Sequence, residues 1–338
     1  MSETVSPPLL EVENLEVEFR TDQGKVRAVD GLTFEIRRGR TLGIVGESGC
    51  GKSVSVRAIM QLLPANGSIV GGRIIYRGRS DEGVDIRRLR PAGAAMRSLR
   101  GNEFAMIFQE PMTSLSPIYS VGAQIIEAVK VHRRLDRREA RDYAIEMLRR
   151  VNIPAPEKRI DAYPHQLSGG MRQRVMIAMA ISCHPKLLIA DEPTTALDVT
   201  IEAQILNLIK DMQEEEAASL IMITHDLGVI AETADEVAVM YVGRVVETGT
   251  AEEVLEDPLH PYTQALLRSI PKIGRRARRR PIEGTVPSLD ELPKGCKFAD
   301  RCPSVMPICR SKDPPAFVVG QGREVRCWLH EEQAKAAS

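Results

Sequence analysis

The chain has 338 residues, with 46 Lys plus Arg against 46 Asp plus Glu, so its formal charge at pH 7 is zero. Hydrophobic residues make up 43%, which excludes a wholly disordered protein, and the balanced charge with only 4% aromatic residues argues against a nucleic-acid partner. No apolar run reaches the ~18 residues of a membrane span and the first residues carry no secretory signal, so we expect a cytoplasmic protein of about two domains.

In chain order, the first elements predicted are strands. Apolar and polar residues alternate between residues 9 and 36, apart from Thr21-Asp22-Gln23-Gly24, a pattern typical of two strands joined by a turn. A short apolar strand at 41–45 then leads through a Gly-rich loop into a helix at 52–63.

The middle of the chain predicts a helical insertion followed by alternating strands and helices. Residues 109–163 are mainly helical in pattern, with apolar residues three and four apart. Beyond this insertion, strand patterns alternate with helix patterns, which predicts a mostly parallel sheet covered by helices on both faces. Beyond residue 257 the composition shifts towards Pro, Arg and Cys, which we interpret as a separate C-terminal module. The predicted later elements are helices at 169–183 and 199–215 and strands at 187–190, 220–224, 237–241 and 244–247.

The segment GESGCGKS at 46–53 follows the strand at 41–45 and opens a helix, which is the context of a phosphate-binding P-loop. Its backbone N–H groups and the helix N-terminus would hold phosphate groups. Lys52 would reach the β and γ phosphates and Ser53 would ligate Mg²⁺. A Gly-rich turn that only caps the helix is the alternative. The predicted nucleotide ligands in this loop are Gly46, Ser48, Gly49, Cys50, Gly51, Lys52 and Ser53.

An acidic pair follows a second apolar strand, in the segment LLIADE at 187–192. Parallel α/β folds bind ligands at the carboxyl ends of their strands. Asp191 would therefore hold Mg²⁺ and Glu192 would polarise the attacking water. The same acids could instead cap a helix, since Pro193 and Thr194 follow.

The segment LSGGM at 167–171 lies between these two motifs and resembles the LSGGQ signature of the ATP-binding cassette (ABC) ATPases, with Met171 in place of Gln. The resemblance implies a P-loop NTPase cassette over residues 9–255, with a RecA-like core, an antiparallel β subdomain and a helical subdomain at about 109–168. It also implies that ATP is bound between two cassettes. The residues that would serve the γ-phosphate in the partner subunit are Ser168, Gly169 and Gly170.

Other elements of the family pattern follow in order. Gln109 matches the glutamine that contacts Mg²⁺ and water, Asp198 matches the D-loop aspartate, and His225 matches the switch histidine at the γ-phosphate. The resemblance thus implies catalytic roles for Glu192, His225, Lys52 and Gln109. Phe19 is a candidate for stacking on adenine by analogy in position, with packing in the core as its alternative.

A narrower resemblance begins at HPYTQALL, residues 260–267, which is similar to the C-terminal extension of peptide and nickel importer ATPases. The signature ending MRQR also resembles their D-type subunit. The resemblance implies an ATPase that powers uptake of di- or oligopeptides from the cytoplasmic face of the cell (inner) membrane. Its implied partners are a paralogous F-type ATPase subunit, two transmembrane permease subunits and an extracytoplasmic solute-binding protein.

Three other functions are weighed against this one. An importer of nickel or another small solute would carry the same cassette. A soluble ABC ATPase that acts on DNA or ribosomes usually has tandem cassettes or a long coiled coil, and the pattern predicts neither. A GTP switch would need an Asn-Lys-x-Asp motif, which the sequence lacks.

Four cysteines stand in the expected C-terminal extension, residues 256–338, separated by five, six and seventeen residues. Four thiolates can ligate a [4Fe–4S] cluster or zinc, and the wide spacing favours the cluster, which the family resemblance also implies. Zinc and unmetallated packing thiols are the alternatives. The candidate ligands are Cys296, Cys302, Cys309 and Cys327. Ahead of them, the run Arg275 to Arg280 predicts a solvated linker or a contact with lipid headgroups or a partner.

Overall fold

The computed structural model describes residues 6–78, 82–110, 114–195, 198–269, 282–320 and 322–337. Its strands are β1 Leu10–Thr21, β2 Gly24–Ile36, β3 Thr41–Val45, β4 Gly67–Tyr76, β5 Val84–Asp85, β6 Phe104–Ile107, β7 Leu187–Asp191, β8 Ser219–Ile223, β9 Glu236–Tyr241, β10 Arg244–Thr250, β11 Phe317–Val319 and β12 Arg323–Val325. Its helices are α1 Lys52–Ile59, α2 Ala94–Leu99, α3 Val121–His132, α4 Arg137–Arg150, α5 Pro156–Arg159, α6 Gly169–Ile181, α7 Val199–Glu216, α8 Leu227–Thr233, α9 Ala251–Glu256, α10 Pro261–Arg268, α11 Pro307–Ser311 and α12 Glu331–Ala337. Within these ranges, no helix combines the length and apolar character that crossing a bilayer requires.

The strands form two sheets. An antiparallel sheet has the order β2-β1-β4-β5, and the larger sheet has the order β11-β12-β10-β9-β3-β8-β7-β6. In the larger sheet β9, β3, β8, β7 and β6 run parallel. The carboxyl ends of β3, β6, β7 and β8 therefore lie on one edge, where parallel α/β sheets place their ligands.

The parallel part of the sheet is covered on both faces. In β7, Leu188 and Ala190 join a core cluster with residues of α3, α4, α6 and α7. The alternate residues Leu187 and Ile189 join a second cluster with residues of β1, β2 and α1. This alternation follows from the period of two in a strand and explains why all five residues of β7 are buried.

Helices α3 and α4 stand between β6 and β7 in sequence and begin at well-formed caps. The Ser120 hydroxyl accepts a hydrogen bond from the Ala123 N–H at 3.3 Å, at the start of α3. At the start of α4, Asp136 and Glu139 each accept the other's backbone N–H at 2.8 Å. Such caps satisfy N–H groups that the helix leaves free. The apolar faces of both helices then pack on the first core cluster.

The C-terminal extension continues the main sheet. Strand β12 pairs with β10, with Val325 opposite Glu247, and β11 pairs with β12. The Glu247 carboxylate is fully buried and accepts hydrogen bonds from Arg323 at 2.8 Å and from the N–H groups of Leu259 and His260 at 2.8 and 2.9 Å. The extension is thus joined to the cassette by a sheet and a buried ion pair, where the sequence predicted a separate module.

His260 caps helix α10 from a fully buried position, and burial lowers the pKa of its imidazole to about 3. Its Nδ1 atom accepts the Tyr262 N–H at 3.0 Å, which requires the neutral ring. Below pH 6.5 the unfolded chain binds a proton that the folded chain excludes. Each unit by which the pH is lowered therefore reduces the free energy of unfolding by about 1.4 kcal/mol. We expect wild-type protein to lose about 2 kcal/mol more than His260→Asn between pH 7 and pH 5, measured by urea unfolding.

The matched control is His165→Asn, because His165 lies on the exposed surface. That variant is expected to keep the wild-type pH dependence of the unfolding free energy. Equal pH dependence in the His260→Asn and wild-type proteins would contradict the prediction.

Candidate active site

The loop after β3 is shaped by glycines. Gly46 and Gly51 have φ angles of 151° and 100°, a region that other residues rarely adopt. A Cβ atom at Gly46 would overlap the Met240 carbonyl, and one at Gly51 would lie 2.7 Å from the Ala28 carbonyl oxygen. The loop therefore passes close to other backbone, and its conformation depends on both glycines.

The outer part of this loop is open. Ser48 and Gly49 are exposed, and a Cβ atom at Gly49 would meet nothing within 4 Å. Cys50 differs, because its side chain is buried in the second core cluster and burial raises the pKa of its thiol. Any contact of Cys50 with a ligand in this loop would therefore come from its backbone.

The Lys52 ammonium lies over the loop in which it stands. It donates hydrogen bonds to the carbonyl oxygens of Gly46 at 2.8 Å and Glu47 at 3.2 Å, and the side chain is buried. Lys52 begins helix α1, so its charge lies beside the N–H groups of the helix N-terminus. Both features make the loop suited to anionic groups.

Ser53 and Asp191 meet between α1 and β7. The Ser53 hydroxyl donates to Asp191 Oδ1 at 2.7 Å, while Oδ2 is buried and has no hydrogen-bond partner among the described residues. Burial raises the pKa of Asp191. A buried carboxylate oxygen without a partner is costly, and carboxylate and hydroxyl oxygens are ligands that Mg²⁺ accepts. The pair therefore fits the predicted Mg²⁺ site.

Three sequence-predicted catalytic residues come together at the sheet edge. Gln109 Nε2 donates to Glu192 Oε2 at 3.0 Å, and His225 Nδ1 lies 3.8 Å from the same oxygen. The Thr195 hydroxyl also donates to that oxygen, at 3.1 Å. Glu192 has a φ of 46°, a left-handed conformation that is uncommon for a residue with a side chain. Such conformations are concentrated at functional sites.

The signature segment begins helix α6. The Ser168 hydroxyl accepts the Met171 N–H at 3.3 Å, and both Ser168 and Gly169 are exposed. A Cβ atom at Gly170 would lie 3.0 Å from the Ile201 side chain, so α6 packs closely against α7. The Gln173 amide donates to the Pro193 carbonyl oxygen at 2.6 Å, which ties this helix to the segment after Glu192.

Asp198 and Phe19 lie away from these contacts. Asp198 stands exposed at the start of α7, where its side chain makes no capping hydrogen bond, and the neighbouring 196–197 lie outside the described residues. The Phe19 ring covers Gly67 in the antiparallel sheet and packs partly on the second core cluster. The roles of Asp198 at a partner cassette and of Phe19 at adenine stay predictions.

The prediction of an iron–sulfur cluster is wrong. All four tail cysteines are described, and among the described residues no group of three or more His, Cys, Asp or Glu side chains is arranged to hold a metal ion. Burial raises the pKa of Cys296 to about 11 and that of Cys327 to about 12, so without a bound metal both side chains are neutral thiols. The same finding gives no support to the zinc alternative. Cys296 and Cys302 pack against the first core cluster.

Sequence analysis also missed contacts that the extension makes with the Gly-rich loop. Tyr262 and Arg301 both bind Glu47, the second residue of the loop. Tyr262 belongs to the segment HPYTQALL, but that motif gives no sign of which residue its hydroxyl meets. The arginine run at 275–280 lies outside the described residues.

Comparison with known proteins identifies the family. Residues 29–195 match the ABC transporter family. The chain is 50% identical over 327 residues to the probable peptide ABC transporter ATP-binding protein y4tR of Sinorhizobium fredii, with 96% of both chains covered. The chain belongs to the ABC transporter family. It is therefore an ATPase of the transport-coupled type, as the signature and P-loop predicted.

Other relatives of this ABC ATPase carry related names. It is 47% identical to the dipeptide transport ATP-binding protein DppD of Bacillus subtilis, with 97% of both chains covered. It is 48% identical to DppD of Escherichia coli, with 94% of this chain and 96% of that protein covered. Residues 246–309 match the oligopeptide/dipeptide transporter C-terminal region, which confirms the resemblance predicted from residues 260–267.

Solved structures give the fold of this ABC ATPase independently. The dimeric ATP-binding cassette MJ0796 bound to ADP and Pi aligns with a TM-score of 0.63 at 24% identity, over 72% of this chain and 98% of that one. The cbiO1 cassette of Clostridium perfringens aligns with a TM-score of 0.60 at 29% identity, over 74% of this chain and 91% of that one. The predicted α/β cassette fold is confirmed.

Proposed function

We propose that this chain hydrolyses ATP to power uptake of di- or oligopeptides through separate membrane subunits. The observation that carries the proposal is full-length similarity, at 47% to 50% identity, to proteins named for peptide or dipeptide transport. It favours peptides over nickel, and over a soluble ATPase that acts on DNA or ribosomes. The cassette would span residues 9–255, with a helical subdomain at about 109–168, and the extension would span residues 256–338.

The phosphate groups of ATP would lie along the loop 46–53. Its exposed outer part offers the N–H groups of Ser48 and Gly49, and the Lys52 ammonium would turn from its own loop carbonyls to the β and γ phosphates. Ser53, Asp191 and Gln109 would hold Mg²⁺, with the unpartnered Asp191 oxygen supporting that assignment. Mg²⁺, when bound, neutralises charge that develops on the phosphate oxygens.

Glu192 would act as the general base for the attacking water. Its carboxylate is held by donors from Gln109 and Thr195, so its orientation is set before substrate arrives. Its side chain is 13% exposed, so the carboxylate keeps limited access to solvent. His225, whose side chain is largely exposed, would turn to the γ-phosphate. Proton transfer to a positioned base contributes roughly 10²- to 10⁴-fold to a rate.

A second cassette would complete each ATP site. Ser168 and Gly169 are exposed at a helix N-terminus, and Asp198 is exposed at another, as expected of groups that meet a partner subunit. The partner would be a paralogous F-type ATPase subunit. The pair would lie on the cytoplasmic face of the cell membrane below two permease subunits, which receive peptide from an extracytoplasmic solute-binding protein.

Lys52→Ala is expected to weaken binding of ATP by roughly 10- to 100-fold, because it removes charge-assisted hydrogen bonds to phosphate. Lys210→Ala is the matched control, since Lys210 is exposed on α7, away from the loop. Equilibrium titration with a fluorescent ATP analogue measures both variants. Equal affinities of the Lys52→Ala and Lys210→Ala proteins would contradict the assignment of the loop.

Purification from membranes tests the proposed assembly. A tagged chain extracted in mild detergent is expected to bring down two polytopic membrane proteins and a second cassette of different sequence. Recovery of the tagged chain alone, or with nucleic acid or ribosomal proteins, would contradict the importer assignment. Recovery of a homodimer with the membrane proteins would contradict only the F-type partner.

A further inference from the structure

The C-terminal extension makes two contacts with one residue of the ATP-binding loop. The Glu47 N–H donates to the Tyr262 hydroxyl oxygen at 2.8 Å. The two Nη atoms of Arg301 donate to the two Glu47 carboxylate oxygens at 2.7 and 3.0 Å. The partners lie 215 and 254 residues away from Glu47 in sequence. Backbone and side chain of this loop residue are therefore both held by the extension.

Both partners are themselves fixed by packing. Tyr262 is fully buried, with ring centroids 4.7 Å from Tyr241 and 5.4 Å from Phe298. The Arg301 side chain is 5% exposed, lies over the same Tyr241 and Phe298 rings, and donates through Nε to the Glu283 carbonyl oxygen at 3.1 Å. A bidentate pair between ordered groups fixes geometry as well as adding energy. Glu47 thus binds to a rigid surface.

Glu47 also contacts Lys52, the lysine proposed to bind the phosphates of ATP. The Lys52 ammonium donates to the Glu47 carbonyl oxygen at 3.2 Å, and the Cys50 N–H donates to that oxygen at 3.3 Å. A displacement of the Glu47 peptide unit would therefore move the resting position of Lys52 and the turn that follows. The exposed Ser48 and Gly49 lie directly after the clamped residue and have no comparable packing around them.

We propose that Tyr262 and Arg301 are positioning residues that pre-organise the loop 46–53 for ATP, so that the C-terminal extension sets nucleotide affinity. Ordering a loop before binding removes an entropic cost from the binding step. Both residues would act on ATP through Glu47, not by direct contact. The inference rests on the proposed function, because it assumes that the loop binds ATP.

The test compares Tyr262→Phe, Arg301→Gln and their double variant with wild-type full-length protein. Tyr262→Phe keeps the buried ring and removes only the acceptor for the Glu47 N–H, so the extension remains packed. Each single variant is expected to weaken binding of MgATP by about fivefold to tenfold. The KM for ATP is expected to rise by a similar factor while kcat changes less than twofold. Arg310→Gln, which breaks an exposed ion pair with Asp300 in the same module, is the control expected to leave both constants unchanged.

A merely structural role would give a different pattern. It would lower the midpoint of thermal unfolding while the KM for ATP stays at the wild-type value, and that result would overturn the inference.

A second check is Glu47→Gln combined with Arg301→Gln: the two changes are expected to be non-additive in ATP affinity, and full additivity would also overturn the inference. If wild-type protein binds ATP and Lys52→Ala binds it more weakly, unchanged affinity in Tyr262→Phe and Arg301→Gln refutes this inference alone. Failure of wild-type protein to bind ATP refutes the proposed function as well.

Discussion

Replacing Glu192 with Gln is expected to lower kcat for ATP hydrolysis by roughly 10²- to 10⁴-fold while ATP still binds. The amide keeps the shape of the side chain and can still contact Gln109 and Thr195, but it cannot take a proton from water. Because ATP then remains intact, the ATP-bound form of the cassette dimer is expected to accumulate. Single-turnover hydrolysis and size-exclusion chromatography with MgATP measure the two effects.

The matched control is Glu214→Gln, which makes the same change at an exposed position of α7. That protein is expected to hydrolyse ATP at the wild-type rate and to dissociate after turnover. Wild-type hydrolysis in the Glu192→Gln protein would contradict the assignment of Glu192 as the base.

Replacing Arg323 with Met is expected to lower the free energy of unfolding by about 3–5 kcal/mol. The change removes the cation from a pair in which the Glu247 carboxylate is fully buried, and the two N–H donors of Leu259 and His260 do not replace a positive charge. The decrease in the free energy of unfolding arises because the negative charge of Glu247 is left in the core without a cation beside it. Urea unfolding of the full-length protein, followed by circular dichroism, measures it.

An exposed arginine provides the control for this variant. Arg149 pairs with Glu146 and Glu157 at the surface, and all three side chains are more than half exposed. Arg149→Met is expected to cost less than about 1 kcal/mol, as exposed pairs usually do. Equal losses in Arg323→Met and Arg149→Met would contradict the view that the buried pair joins the extension to the cassette.

The P-loop side of the site was predictable because its signals are local. Gly46, Lys52 and Ser53 stand in one continuous segment, and a strand before a Gly-rich loop fixes where that segment lies in an α/β sheet. Glu192 and His225 follow β7 and β8 directly or one residue later, in agreement with the strands predicted at 187–190 and 220–224. Gln109 follows β6, and its place in the site was implied by the family resemblance alone.

Less of the fold could be predicted where partners in the sheet decide the structure. Strand β6 has four apolar residues, a run too short to distinguish a strand from a helix. Strand β4 contains Gly71 and Gly72, which lower strand propensity, and it forms through pairing with β1. Both elements depend on contacts remote in sequence.

The errors in the extension have the same origin. The spacing of the four cysteines along the chain does not fix where their sulfur atoms point. Cys309 and Cys327 are buried as free thiols, and Cys296 and Cys302 are partly buried against the first core cluster. The Glu47 contacts with Tyr262 and Arg301 join residues more than 200 positions apart, so no sequence motif contains both partners.

Uptake of labelled peptide tests the central claim most directly. In a strain that lacks this gene, uptake of a radiolabelled dipeptide or oligopeptide is expected to fall, to be restored by the wild-type chain, and to stay low with Glu192→Gln. Restoration by the Glu192→Gln variant to the wild-type level, or unchanged uptake after loss of the gene, would contradict the account.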